Sequence, residues 1–317
     1  MAKYRNNLPQ LSGRLYLTDG GIETTLIFHE GLDLPYFAAF DLMKNQAGQA
    51  ALRRYFASHA SIAQANGCGF ILESPTWRAS ADWGARLGYG KAAMAEVNKQ
   101  SIALLVEQRG IFETEASPMV ISGCVGPRGD GYIPGGMMTA EEAETYHAVQ
   151  ITAFAESPAD MVAAITMTYE EEAVGITLAA RAAGLPVAIS FTVETDGCLP
   201  SGQSLKDAIA AVDAATGEGP VYYMINCAHP DHFADALAGG EGWVQRIRGL
   251  RANASRRSHA ELDEAEALDD GDPAELGGQY RELLGKLPQI NVVGGCCGTD
   301  HRHIEAICLA CTTAAAA

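Results

Sequence analysis

Short apolar runs recur along the chain, each followed by a stretch with helical spacing. The runs cover residues 14–18, 69–72, 118–122, 160–165, 186–191, 221–226, 247–253 and 289–293. Most are continuously apolar rather than alternating, as expected of parallel strands covered on both faces. The seventh is the weakest. Residues 52–66 place Leu52, Tyr55, Phe56 and Ile62 on one helical face. Further helices are predicted over 94–109, 170–183, 205–215, 231–237 and 274–284. Another begins behind Thr139, whose cap is followed by Glu141 and Glu142. The polar stretch 255–271 reads as an exposed loop, and 314–317 as a disordered tail. Eight strand–helix units predict an α/β fold with one domain over residues 1–317, a single (β/α)8 TIM barrel. The rival is an open doubly wound sheet. No G-x-G-x-x-G follows the first strand, which weakens a dinucleotide-binding version of it.

Composition narrows the partners. The 317 residues are 48% hydrophobic, enough for a large core, and carry a formal net charge of −17. That balance argues against a nucleic-acid or anionic-membrane partner and for a soluble, cytoplasmic surface. No apolar run approaches the ~20 residues that span a bilayer. The first seven residues lack the apolar core of a secretory signal.

The chemistry points to cysteine. Of eight cysteines, Cys296 and Cys297 are adjacent in a turn flanked by Gly294, Gly295 and Gly298. Successive strand residues face opposite ways, so both thiols reach one point only where the chain leaves the strand. Two converging thiolates suggest a soft metal, with zinc the first choice. In a barrel, active-site groups follow the C-terminal ends of strands. Asp19, Thr76, Asn226 and Cys227 fall at such positions. Cys227 is the natural third ligand, and three ligands leave one position open for a substrate. The alternative is three unrelated core cysteines. Without a signal sequence the cysteines read as reduced thiols. Cys308 and Cys311 follow helical spacing with Ile304 and Ile307, which fits a buried face.

Six pieces then carry a resemblance. They are Asp19-Gly20-Gly21-Ile22-Glu23-Thr24, residues 74–80 (Ser-Pro-Thr-Trp-Arg-Ala-Ser), Gly123-Cys124-Val125-Gly126-Pro127, Ser190-Phe191-Thr192, Ile225-Asn226-Cys227 and Gly294-Gly295-Cys296-Cys297-Gly298-Thr299. In this order they resemble the homocysteine S-methyltransferase family, zinc-dependent thiol methyltransferases built on a (β/α)8 barrel. The resemblance implies that Cys227, Cys296 and Cys297 bind Zn2+. It implies that Asp19 helps to bind the amino-acid acceptor, while Thr76 and Asn226 bind substrate or support loops. Homocysteine would be the thiol acceptor and methionine the product. The donor would be a sulfonium such as S-methylmethionine or S-adenosylmethionine. No betaine-type C-terminal segment and no cobalamin or folate module is expected, and a corrinoid protein in trans is an alternative.

One position departs. Family members often have Phe-Glu-Thr at the end of the fourth strand, where the glutamate helps to hold the amino acid. Here Ala164-Ile165-Thr166 stands there, and isoleucine accepts no hydrogen bond. Either Glu170 or Glu171 takes the role, or the acceptor is a different thiol or selenol. A zinc hydrolase would want histidine or carboxylate ligands. The one H-x-H pair, His301 and His303, lies beyond Cys297, where surface residues are expected. A non-catalytic zinc- or thiol-binding protein is the remaining reading.

Overall fold

The computed structural model describes residues 1–239, 242–265 and 267–314. Eight parallel strands close into one barrel: β1 (Tyr16–Leu17), β2 (Gly69–Glu73), β3 (Met119–Val125), β4 (Met161–Met167), β5 (Val187–Phe191), β6 (Tyr222–Asn226), β7 (Ile247–Ala252) and β8 (Val292–Gly295). The first strand pairs with the last, Tyr16 opposite Val292 and Leu17 opposite Val293, which excludes the open sheet. Around them lie α1 (Gln46–Ala65), α2 (Ala81–Arg86), α3 (Lys91–Phe112), α4 (Ala140–Ala155), α5 (Glu170–Ala182), α6 (Leu205–Thr216), α7 (Pro230–Leu237), α8 (His259–Asp263), α9 (Pro273–Lys286) and α10 (His301–Ala314). The tail expected to be disordered lies, beyond Ala314, outside the described residues.

Strand parity sorts the core into two clusters. Tyr16, Ile71, Val120, Met161, Tyr222, Met224 and Val292 fill the barrel interior. Leu17, Phe70, Leu72, Ile121, Ile189 and Leu250, on the other parity, pack outward with the helices. Because the strands are parallel, all their C-terminal ends open on one mouth. The side chains nearest that mouth on the inward parity include Glu73, Cys124, Ile165, Asn226 and Arg251. Sequence periodicity therefore decides which residues can meet there.

Two expectations need correction. The stretch 255–271 is not a plain exposed loop, because α8 forms within it and His259 is buried. Ser258 and Glu261 make a reciprocal capping box that starts this helix. His303 is fully buried rather than on the surface, between Asp300 and the Asp270 carbonyl. His301 is exposed as expected. Cys308 and Cys311 do face the core, with Cys308 Sγ 3.8 Å from Cys68 Sγ.

Candidate functional site

The β6 strand ends at Asn226, and Cys227 follows in a left-handed conformation, φ +53°. The β8 strand ends at Gly295, so Cys296 and Cys297 lie in the turn before α10. Cys296 N donates to Ala252 O at 2.9 Å, and Cys297 O accepts from Ala254 N at 3.0 Å. Successive residues of this turn are thus tied to the β7 end, and both thiols face Cys227. The three Sγ atoms lie within 4.8 Å of one another. Close backbone approach makes this feasible: a Cβ on Gly21 would sit 2.6 Å from Cys296 O.

The structure pairs Cys227 with Cys296 as a disulfide, Cα atoms 5.4 Å apart. This departs from the expectation that all eight cysteines are reduced thiols. Cys297 stays free beside the pair, its Sγ 3.9 Å from that of Cys227. Burial raises the Cys297 thiol to about 11, so alone it holds its proton at neutral pH. Three soft sulfur donors at one point fit zinc once the pair is reduced. Among the described residues no histidine or carboxylate joins the cluster, which leaves the hydrolase reading without its ligands.

Asn226 serves as a clamp. Its Oδ1 accepts from Thr166 N at 3.0 Å and from Ser190 Oγ at 2.6 Å. Its Nδ2 donates to Thr166 Oγ1 at 2.8 Å and lies 3.9 Å from Cys296 Sγ. Thr166 needs holding, because it is β-branched yet sits at φ +68°. Its Oγ1 is 4.0 Å from Cys227 Sγ. Asn226→Ala is expected to lower zinc affinity about 10- to 100-fold, the usual loss when a partner behind a metal ligand goes. Titration of the variant with a competing chelator checks this, and wild-type affinity would remove the clamp from the account.

Asp19 is fully engaged. Arg251 Nη2 donates to its Oδ1 at 2.6 Å and Tyr55 Oη to its Oδ2 at 2.9 Å. Arg251 also meets Glu73 Oε2 at 3.3 Å and Gly295 O at 3.2 Å. All three charged residues of this triad are buried. Burial pushes Glu73 up to about 7 against the pull of Arg251. Burial alone would lower Arg251, but Asp19 and Glu73 outweigh it and the guanidinium is held charged. Thr76, also fully buried, donates to Cys124 O at 2.8 Å and pairs with Ser74 at 2.6 Å. The Ile165 side chain lies buried at the mouth, and its carbonyl accepts from Trp77 Nε1 at 3.1 Å. Glu170 accepts from Gln203, and Glu171 is exposed.

A cover lies over the cysteines. Tyr132 Oη is 3.3 Å from Cys297 Sγ, and its ring stacks on His259 at 4.0 Å and 16°. His259 Nε2 donates to Cys227 O at 2.6 Å, and Nδ1 is 3.1 Å from Glu194 Oε1. The loop carrying Tyr132 is anchored through Arg128 N, which donates to Glu172 at 2.8 Å, with His147 on the same oxygen at 2.9 Å. Sequence reasoning missed Arg251, Glu73, Tyr132 and His259. For Arg251 a signal existed: an arginine at an inward position of an apolar strand. For His259 it was the S-x-x-E box at Ser258. Tyr132, in an irregular loop, gave none.

Fold and site together define a class: a (β/α)8 barrel enzyme with three cysteines clustered at the C-terminal mouth of its strands. The chain belongs to the homocysteine S-methyltransferase family, whose model matches residues 16–311, and it is a thiol methyltransferase. Among solved structures it is similar to the homocysteine methyltransferase MmuM from Escherichia coli. The oxidized form superposes with a TM-score of 0.75 at 21% identity, covering 96% of this chain and 99% of that one. The metallated form gives 0.74 at 19% identity, covering 96% and 98%. At such identities the likeness establishes the fold. No individual curated protein matches this chain.

Proposed function

We propose that the protein transfers a methyl group from a small sulfonium donor to the thiol of homocysteine, giving methionine, with Zn2+ held by Cys227, Cys296 and Cys297. The observation that carries this reading is the convergence of three sulfurs at the barrel mouth. When bound, zinc favours the thiolate of a coordinated thiol, the nucleophilic form, at neutral pH. The new bond is sulfur to methyl carbon, and the bond broken is methyl carbon to the donor's sulfonium sulfur. The thiol proton goes to solvent and the donor leaves as a neutral sulfide, so no general acid is needed for the leaving group.

The chain's own residues orient and seal. Asn226 fixes Thr166 behind the cysteines, and Tyr132 with His259 keeps water from the sulfurs. Thr76 supports the β2 and β3 ends, and Asp19 shapes the floor through Arg251. S-methylmethionine and S-adenosylmethionine are the donors to test first. No helix among the described residues is long and apolar enough to cross a membrane.

Reduced, zinc-loaded protein incubated with homocysteine and each sulfonium should yield methionine, detected by mass spectrometry. A methylated product on another thiol or selenol would reassign the acceptor. Retained zinc with no methyl transfer to any thiol would make the protein a zinc- or thiol-binding one instead.

A further inference from the structure

An amino-acid thiol brings two charges besides its sulfur, and each needs a partner at the site, since an unpaired charge in a closed pocket is costly. The acids around the mouth can be counted. Asp19 is held by Arg251 and Tyr55, and Glu73 by Arg251. Glu172 is held by His147 and Arg128 N, and Glu194 lies against His259. Asp263, on α8, is exposed, and so is Asp130, which accepts from Tyr132 N in its own loop. That leaves Glu23. Beyond its own amide, its carboxylate has no hydrogen-bond or ion-pair partner among the described residues.

Glu23 is also in the right place. It precedes the π-helical turn Thr24–His29 on the β1 loop. Thr24 Oγ1 accepts from Gly298 N at 3.0 Å, and Gly21 lies under Cys296 O, so this loop is seated on the cysteine turn. The negative charge of Glu23 is felt at Cys297, and Glu23 in turn feels Asp19, then Arg78 and Arg251. Burial pushes its own carboxyl up to about 7, as expected of an acid without a partner.

Arg78 is the complementary group. Its guanidinium stacks between Trp77 and Trp83, 4.0 and 3.9 Å from the ring centroids, and one Nη donates to Gly129 O. Its Nε is buried without an acceptor. Arg251, the other buried cation at the mouth, already has two carboxylates and a carbonyl.

From these juxtaposed and incompletely satisfied groups we infer that Glu23 receives the α-ammonium of the acceptor and Arg78 its α-carboxylate. The two residues then form a zwitterion reader beside the thiol-activating cysteines, and they set specificity for an amino-acid thiol without taking part in methyl transfer. This rests on the thiol-acceptor reading above.

Equilibrium binding to reduced, zinc-loaded protein tests this without a donor. The probes are L-homocysteine, 4-sulfanylbutanoate, which lacks the ammonium, and 3-aminopropane-1-thiol, which lacks the carboxylate. Glu23→Gln is expected to weaken L-homocysteine about 10- to 100-fold, the range of a charge-assisted hydrogen bond, and to leave 4-sulfanylbutanoate within about twofold. Arg78→Met should weaken L-homocysteine similarly and leave 3-aminopropane-1-thiol unchanged. Glu23→Asp, which keeps the charge, should recover part of the loss. Zinc content and melting temperature report whether each variant is folded. Equal losses for all three thiols, or none for any, would overturn the zwitterion reader while leaving the acceptor reading in place. Failure of the wild-type protein to bind any of the thiols would remove both.

Discussion

Reduced wild-type protein is expected to hold about one zinc per chain, and Cys297→Ser to lose it, with affinity falling more than about 100-fold. Loss of a direct ligand should exceed the 10- to 100-fold typical of the groups behind one. A hydroxyl is a poor replacement because zinc sites of this kind draw on the soft thiolate. Cys296→Ser should behave alike. Methyl transfer to homocysteine should vanish with the metal, return when zinc is added to chelator-stripped wild type, and not return in the variants. Elemental analysis and chelator competition on protein kept reduced give the answer. Unchanged zinc in a variant would remove that cysteine from the site, and zinc-free wild type would count against the whole metal reading.

The largest effect on stability is expected from Arg251→Met. The guanidinium is buried and touches Asp19, Glu73 and Gly295 O. Removing one member of a buried ion cluster strands the others, which costs about 3–5 kcal/mol. At roughly 2–4 °C per kcal/mol for a domain somewhat smaller than this, the melting temperature should fall by about 10 °C. The deficit should depend on pH with a definite sign. Glu73 is already raised to about 7 in the folded protein, so the native state binds its proton more tightly than the unfolded state does. Without Arg251 its affinity for the proton rises further. Stability falls with rising pH wherever the native state binds the extra proton. The difference between variant and wild type should therefore widen from about pH 5.5 to pH 8. Melting curves at both pH values check this. A deficit independent of pH would show that Glu73 is not the group left exposed to the missing charge.

The cysteine cluster and the charged triad differ in how far the sequence discloses them. Cysteine is scarce and its chemistry narrow. Adjacent thiols between glycines, with Asn226-Cys227 at another strand end, could be joined once eight strand–helix units implied a common mouth. The β7 arginine was equally visible at position 251, but arginine in a strand has many uses. Only the register that sets Gly249 opposite Val292 and Arg251 opposite Gly294 brings it onto Asp19 and Glu73. Asp19 shows the consequence. Its place after the first strand was correctly anticipated, but its partners come from residues 36 and 232 positions away.

The pairing of β1 with β8 decided closure into a barrel, but the hydrophobic pattern alone determined a parallel sheet, since continuous apolar runs at this spacing bury both faces only in a covered parallel sheet. It also settled which strand ends carry the cysteines, because a parallel barrel puts every C-terminal strand end on one side. The helix inside residues 255–271 and the burial of His303 were decided elsewhere. Polar side chains are placed inside a protein by particular hydrogen bonds rather than by periodicity, and those partners, Cys227 O for His259 and Asp270 O for His303, exist only after the chain has folded. The same reason explains why Glu23 could be read from the sequence as one more residue of a turn. Its significance lies in having no partner, and that becomes visible only when Asp19, Glu73, Glu172 and Glu194 have found theirs.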